Sequence, residues 1–402
     1  MLRPIQVFEE LITLRILRGH ALADIYLSEA IKMFGASMVA IFETIYLFIF
    51  FRDQGITHPA AAVFLFFCIF YGAFALLSPL GARLSSRFGF SRVALASSPF
   101  LFLFFLFLLL LPEYPWLLIP TLLVIIVRAA LFWPGFHLLF VTSSTAERRG
   151  RAFGGLAITG AVASVAGPAL GGQIITHYGY PVLFIVVLPL ILVSALPYFL
   201  VKDSGYKFSD GYGSIFGRLF RPQGWKVGLA FAANGSEDES NSRVWPLFLF
   251  ILSISYSSLG FIVSLGTAVS IATTYIMGRL VDKGDRLKLL SLGSAATCSA
   301  WLVRAGVRAV VPAFIANILY GAFRTTYYVP AMTIFYDRVS AAPNPYDAIV
   351  FREMMINMGR AVFLGVLALI ALWTEDFRIL LIATAALPVL FPLLKHWKPS
   401  VE

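Results

Sequence analysis

Eight charged side chains lie inside stretches of this sequence that are otherwise apolar. They are Glu43, Arg128, Glu237, Asp238, Glu239, Arg243, Arg324 and Arg360. A charge held in hydrocarbon costs at least about 2.5–3.5 kcal/mol, so each must face a partner or a polar cavity. Glu43 stands among Ile41, Phe42, Ile45 and Tyr46 with no charge beside it. It is a candidate proton carrier, or else the static partner of Arg128 or another buried arginine. Arg128 and Arg324 could clamp a carboxylate or phosphate between them; the other reading makes them counter-charges for Glu43 and the acids at 237–239. Glu239 and Arg243 are four apart with the acid first, the favourable order for a pair within one helix. Successive helical residues turn by about 100°, so Glu237, Asp238 and Glu239 cannot share a face. At least one of them must meet another helix, with Arg324 and Arg360 as available partners. A hard-cation site built from these oxygens is a further option.

The elements that carry these charges follow from composition. Of 402 residues, 59% are hydrophobic and 13% charged, against about 25% charged in a soluble domain. Too few polar residues remain to cover such a core, so its solvent is lipid. Stretches of about 20 apolar residues long enough to cross a bilayer fall at 29–52, 58–82, 92–112, 115–141, 153–177, 181–201, 225–254, 256–281, 288–307, 309–335, 347–373 and 376–394. The fold expected is all-α and integral to the membrane, with twelve transmembrane helices in two pseudo-symmetric six-helix bundles. Residues 1–28 read as an amphipathic lead-in lying at the interface, 29–201 as the first bundle, 202–224 as a polar linker, 225–394 as the second bundle and 395–402 as a tail. Lys and Arg gather at the ends that share a side with both termini, including Lys32, Arg83, Arg87, Arg148, Arg218, Lys283 and Arg338. That asymmetry puts both termini in the cytoplasm and accounts for the net charge of +10 without a nucleic-acid partner. The opposite side receives Arg52, Arg304, Arg308 and Arg378. The first ten residues, with early acids and no small-residue cleavage site, do not read as a signal peptide. Cys68 and Cys298 both sit in apolar runs, which offers no disulfide framework or metal site. The five histidines are scattered, and no nucleophile–base or metal spacing emerges, so the expectation is neither an enzyme nor a cofactor protein.

The chain also resembles itself. Arg128-Ala-Ala-Leu-Phe-Trp-Pro134 and Arg324-Thr-Thr-Tyr-Tyr-Val-Pro330 are offset by 324 − 128 = 196 residues. Ala82-Arg-Leu-Ser-Ser-Arg87 and Gly278-Arg-Leu-Val-Asp-Lys283 keep the same offset, 278 − 82 = 196. Internal repeats with intramembrane charge suit a two-bundle transporter. Three signatures then resemble the major facilitator superfamily over nearly the whole chain. The loop Gly81-Ala-Arg-Leu84-Ser-Ser86-Arg87-Phe-Gly89 is similar to the family's G-x-L-x-D-R-x-G-R-[RK] motif, with Ser86 where the family has Asp. The second copy, from Gly278, keeps the acid as Asp282, followed by Lys283. Gly160-Ala-Val-Ala-Ser-Val-Ala-Gly167-Pro168-Ala-Leu-Gly171-Gly172 looks like the antiporter motif of the family's drug exporters, where glycines allow close backbone approach and Pro bends the helix. Arg128 resembles the exporters' intramembrane arginine.

What the resemblance implies is a secondary transporter working by alternating access. Its cavity would be lined by the first, fourth, seventh and tenth spans, which hold all of the eight charges except Arg360. The acid of the loop motif would sit near a helix N-terminus and latch one conformation, a role only Asp282 can fill here. The function expected is a proton-coupled exporter of small organic compounds, monomeric, in the inner (plasma) membrane, with Glu43 carrying the proton. The alternative is a transporter of a sugar, amino acid or organic anion with Arg128 and Arg324 as ligands; a lipid translocator is a remoter one. The two main readings differ in whether the intramembrane acids are free or neutralised by arginines. Tyr46, Phe132, Trp133, Trp245, Tyr327 and Tyr328 either stack on a solute or pack; Arg352 and Glu353 suit a gate or a loop anchor. Trp116, Trp373 and Trp397 sit near span ends as interface anchors.

Overall fold

This computed structural model describes residues 21–143, 149–199, 213, 217–220, 224–340 and 345–397. Most of the expected lead-in and linker, and Glu147-Arg148 of the basic loop, lie outside them. Every regular element among the described residues is helical. In chain order these are α1 (Ala21–Ala40), α2 (Phe42–Asp53), α3 (Pro59–Phe88), α4 (Phe90–Leu110), α5 (Leu118–Ser143), α6 (Arg149–Ala195), α7 (Gly224–Glu239), α8 (Trp245–Ile251), α9 (Tyr256–Lys283), α10 (Arg286–Ala305), α11 (Val310–Ser340), α12 (Pro345–Ala371) and α13 (Phe377–Ala385). A π-helical turn, Ser240–Val244, joins α7 to α8, and a 3₁₀ run, Leu387–His396, continues α13.

Local sequence accounts for the breaks. Pro59 opens α3, where its missing N–H is not needed. Gly89, at φ 92°, closes α3 and opens α4 in one residue, a left-handed turn that glycine makes without strain. Gly179, at φ 80°, kinks α6 between the expected fifth and sixth spans. Asp285 caps α10, accepting from the N–H of Leu287 at 2.9 Å and of Lys288 at 3.2 Å. Asp376 caps α13 in the same way.

Seven helical stretches among the described residues are long and apolar enough to cross a membrane, and an eighth if Leu27–Ala40 and Phe42–Asp53, bent by 41°, form one span. The expected spans 225–254, 288–307 and 309–335 are not among them; α7, α10 and α11, which fall there, carry Glu237, Arg304 and Arg324. Large apolar side chains face outward in stripes, as Leu65, Ile69, Leu76 and Leu80 do along α3. Apolar patches of that extent suit lipid rather than water. Trp116 and Trp373, 68% and 90% exposed, end such surfaces, whereas Trp397 packs on Phe231 and Phe335.

α1 packs along α6, α3 along α12, α6 along α9, and α7 along α12. The glycines of the 160–172 string set two of these contacts. A Cβ on Gly167 would lie 1.9 Å from Ser37 Oγ, and one on Gly171 2.1 Å from the Met38 carbonyl, so both face α1. One on Gly172 would lie 2.3 Å from the Tyr256 carbonyl of α9. The contact is reciprocal, since Gly260 of α9 abuts the Pro168 carbonyl. The Ala169 N–H donates to Ser264 Oγ at 3.1 Å, and Gln173 Nε2 donates to Ser257 Oγ at 2.7 Å.

Candidate functional site

The polar centre of the molecule grows from one turn of α7. Glu237, Asp238 and Glu239 fan out in three directions, as consecutive helical residues must. Glu237 is completely buried. It accepts hydrogen bonds from Trp301 Nε1 at 2.9 Å, Tyr320 Oη at 2.7 Å and Tyr327 Oη at 2.9 Å, and pairs with Arg324 Nε at 3.6 Å. Asp238 points elsewhere and is bridged by two arginines, Arg324 Nη2 at 2.7 Å on one oxygen and Arg360 Nη2 at 2.9 Å on the other. Glu239 takes a hydrogen bond from Tyr71 Oη at 2.6 Å and meets Arg243 Nε at 3.3 Å and Arg360 Nε at 3.4 Å.

The helix widens directly after this triplet. Pro246 has no N–H to offer the carbonyl one turn back, and residues 240–244 take the π form, which recurs at functional sites. Arg243 leaves this wide turn toward α2, where its Nη1 reaches Glu43 Oε2 at 3.1 Å and Thr44 Oγ1 at 3.3 Å. Its guanidinium lies 3.8 Å from the centre of the Phe67 ring, a cation–π distance. Glu43 sits in the first turn of α2, just after the bend at Ile41. A cavity of about 160 Å³ adjoins this pair, with Phe66, Phe67, Phe70, Tyr71 and Phe104 among its walls.

Arg304 belongs to the same centre. It is fully buried, donates to Asn241 Oδ1 at 3.0 Å and Asn317 Oδ1 at 2.5 Å, and stacks on Tyr320, Trp301 and Trp245. The charge asymmetry counts Arg304 at the membrane face opposite the termini; apolar flanks and three aromatic faces instead make it a buried part of the polar centre.

Arg128 and Arg324, equivalent in the repeat, keep different company. Arg128 stacks on Phe132 and Trp133 of its own helix. Near it are Lys32, over the same Phe132 ring at 3.5 Å, and Glu29, which pairs with Lys32 and accepts from Tyr198 Oη at 2.5 Å. Glu29 and Lys32 are both buried within the first apolar stretch.

Several expected solute contacts are closed in this conformation. Trp245 and Tyr327 have no exposed surface, and Tyr46 Oη is engaged by the Leu108 carbonyl at 2.5 Å. Asp282 is exposed, with no hydrogen bond or ion pair among the described residues; the acid at the N-terminus of α10 is Asp285, three residues on, and Arg286 pairs with Asp337. Arg87 and Lys283 are likewise exposed, and Gly278 has no heavy atom within reach of a Cβ, whereas a Cβ on Gly81 would lie 1.7 Å from the Ala130 carbonyl. Arg352 pairs with its neighbour Glu353 at 2.7 Å. Among the described residues no three acidic, histidine or cysteine side chains converge as a metal site; the acids of α7 turn to arginines instead.

Three comparisons bear on this arrangement. No curated protein sequence matches the chain. A crystal structure of an auto-inhibited peptide transporter of the POT family superimposes with a TM-score of 0.70 over 95% of this chain and 98% of that one, at 14% identity. At that identity the likeness establishes the fold. The sequence model of the Major Facilitator Superfamily matches residues 26–236, more than half of the chain. Helices apolar enough for a membrane, a charged polar centre between them, a shared transporter fold and this match lead to one assignment: the chain belongs to the Major Facilitator Superfamily, a family of membrane transporters and not of enzymes.

Proposed function

We propose that the protein is a secondary active transporter for a small polar solute that is uncharged, zwitterionic or anionic. It has twelve spans in two pseudo-symmetric six-helix bundles, both termini in the cytoplasm, and works by alternating access around a midplane site. The repeated offset of 196 residues supports the two-bundle reading, as does the pairing of helices, with α3 on α12 and α6 on α9 as equivalent seams. One observation carries the choice of solute. Each acid of the centre, Glu43, Glu237, Asp238 and Glu239, has an arginine as partner. A lipophilic cation would find no free carboxylate there, and binding it would leave an arginine unpaired. The POT-family relative is described as a peptide transporter; at 14% identity that bears on fold and not on solute.

A second reading, the proton-coupled exporter of small organic compounds, is favoured by the aromatic cavity beside Glu43. In it Glu43 releases Arg243 when protonated. Glu43→Gln should then abolish gradient-driven transport and spare solute exchange; loss of both would leave Glu43 only a structural partner. The deciding experiment is a melting-temperature screen of the purified protein with sugars, amino acids, organic anions and lipophilic cations at two pH values. A ligand that binds the folded state raises the melting point by mass action. Protection by the first three classes supports the proposal, and protection confined to lipophilic cations overturns it in favour of the exporter.

A further inference from the structure

Asp238 differs from the acids on either side of it. The Glu237 and Glu239 side chains are 0% and 5% exposed, whereas that of Asp238 is 35% exposed. It is the one of the three that keeps open surface. The two arginines that bridge it are held from behind by the buried acids: Arg324 by Glu237, and Arg360 by Glu239 and by Asn357, whose Oδ1 accepts from Nη1 at 3.1 Å. Each sends its Nη2 forward to one oxygen of the Asp238 carboxylate. Two guanidinium groups, neutralised behind and converging in front on the two oxygens of one carboxylate, are what recognition of a small carboxylate needs. In the present conformation Asp238 occupies that position itself.

We infer that Arg324 and Arg360 form a binding subsite for a carboxylate of the solute, and that Asp238 is its displaceable occupant. The inference rests on the transporter reading and narrows its solute to one bearing a carboxylate. Charge sets the coupling. Glu43, Glu237, Asp238, Glu239 and Glu353 balance Arg243, Arg304, Arg324, Arg352 and Arg360, five against five. An entering carboxylate adds one negative charge. The balance is restored when the displaced Asp238 takes one proton from the water that reaches the open side, so one proton binds with each carboxylate. The charged and titratable groups around Asp238 are Arg324, Arg360, Arg352 and the Glu353 paired with it from α11 and α12, Tyr71 from α3, and Glu237 and Glu239 on its own helix. Of the four acids in this set, only Asp238 is released by the exchange, and its side chain has the most open surface.

The test uses the full chain, purified, and compares melting temperatures in sodium acetate, sodium phosphate and sodium chloride of equal ionic strength. Acetate reproduces the end of the Asp238 side chain. It should protect the wild type more at about pH 5.5 than at about pH 7.5, with chloride inert, because protection follows binding to the folded state. Asp238→Asn removes the occupant: acetate should bind about tenfold tighter, the gain expected when a site filled nine-tenths of the time is vacated, and the pH difference should vanish. Should that variant not fold, D238N/R360Q removes one acid and one base together; it should lose acetate protection at both pH values. Equal protection at both pH values in the wild type overturns the inference, as does protection surviving in the double variant. Protection by phosphate alone refutes the carboxylate assignment. A protein that transports a neutral solute and ignores acetate retains the transporter reading without this subsite.

Discussion

Arg128 and Arg324 are 196 positions apart, each in a long helix six residues before a proline, and their surroundings are opposite. Around Arg324 the charges balance: three acids of α7 meet three arginines, and tyrosine and tryptophan donors saturate the innermost carboxylate. Around Arg128 the described residues offer one acid, Glu29, for two cations, and the face of Phe132 serves both Lys32 and Arg128. The duplicated helix has thus kept its arginine and changed what the arginine does. A neutral, saturated network holds one geometry firmly. The Arg128 cluster relies instead on an aromatic ring, at about 0.5–2 kcal/mol per cation contact, and on one shared acid.

The contrast can be broken by mutation. The largest effect should come from Glu237→Leu, which strands Trp301, Tyr320, Tyr327 and part of Arg324; the expected loss is about 3–5 kcal/mol by thermal unfolding in detergent. A loss below about 1 kcal/mol would mean that the network is not the firm one. Next is Gly81→Ala, whose Cβ would overlap the Ala130 carbonyl, at about 1–3 kcal/mol for overpacking. Lys32→Met should cost less than about 1 kcal/mol, because Glu29 keeps Tyr198 and nearby Arg128 and a surplus charge has gone. A penalty as large as that of Glu237→Leu would erase the distinction between the two clusters. The smallest effect belongs to Gly278→Ala, the repeat counterpart of a position beside Gly81: with open space around it, the change should stay within about 0.5 kcal/mol.

How much of this was legible depended on context along the chain. The triplet 237–239 announced itself by density, and the turn of the helix already required its members to diverge. Their partners were partly legible, since Arg324 and Arg360 were the free cations in neighbouring apolar stretches. That Glu43 goes to Arg243 and not to Arg128 was not, because spacing in sequence says nothing of which helix lies opposite. Glu29 and Lys32 escaped because they stand at the start of an apolar stretch, where charges usually belong to water. Arg304 escaped for the same reason at an end, although Leu302, Val303, Ala305 and Val307 around it were a usable signal. The family pattern draws attention to Asp282, while the run Asp285-Arg-Leu-Lys288 carries the residue that caps α10. The glycine string 167–172 was legible as close packing, but not that its glycines serve two different helices.

The wide turn at 240–244 makes the seventh span two helices out of phase. A regular helix advances about 100° per residue, so one residue too many in a turn rotates everything beyond it by that angle relative to everything before. Glu237 to Glu239 are timed to one set of neighbours, and Arg243 onward to another, Glu43 among them. Taking up the extra residue would swing Arg243 and Trp245 around the axis together while leaving the triplet where it is. Such a rotation would be felt on both sides of the turn, because Arg243 is shared between Glu43 beyond it and Glu239 before it.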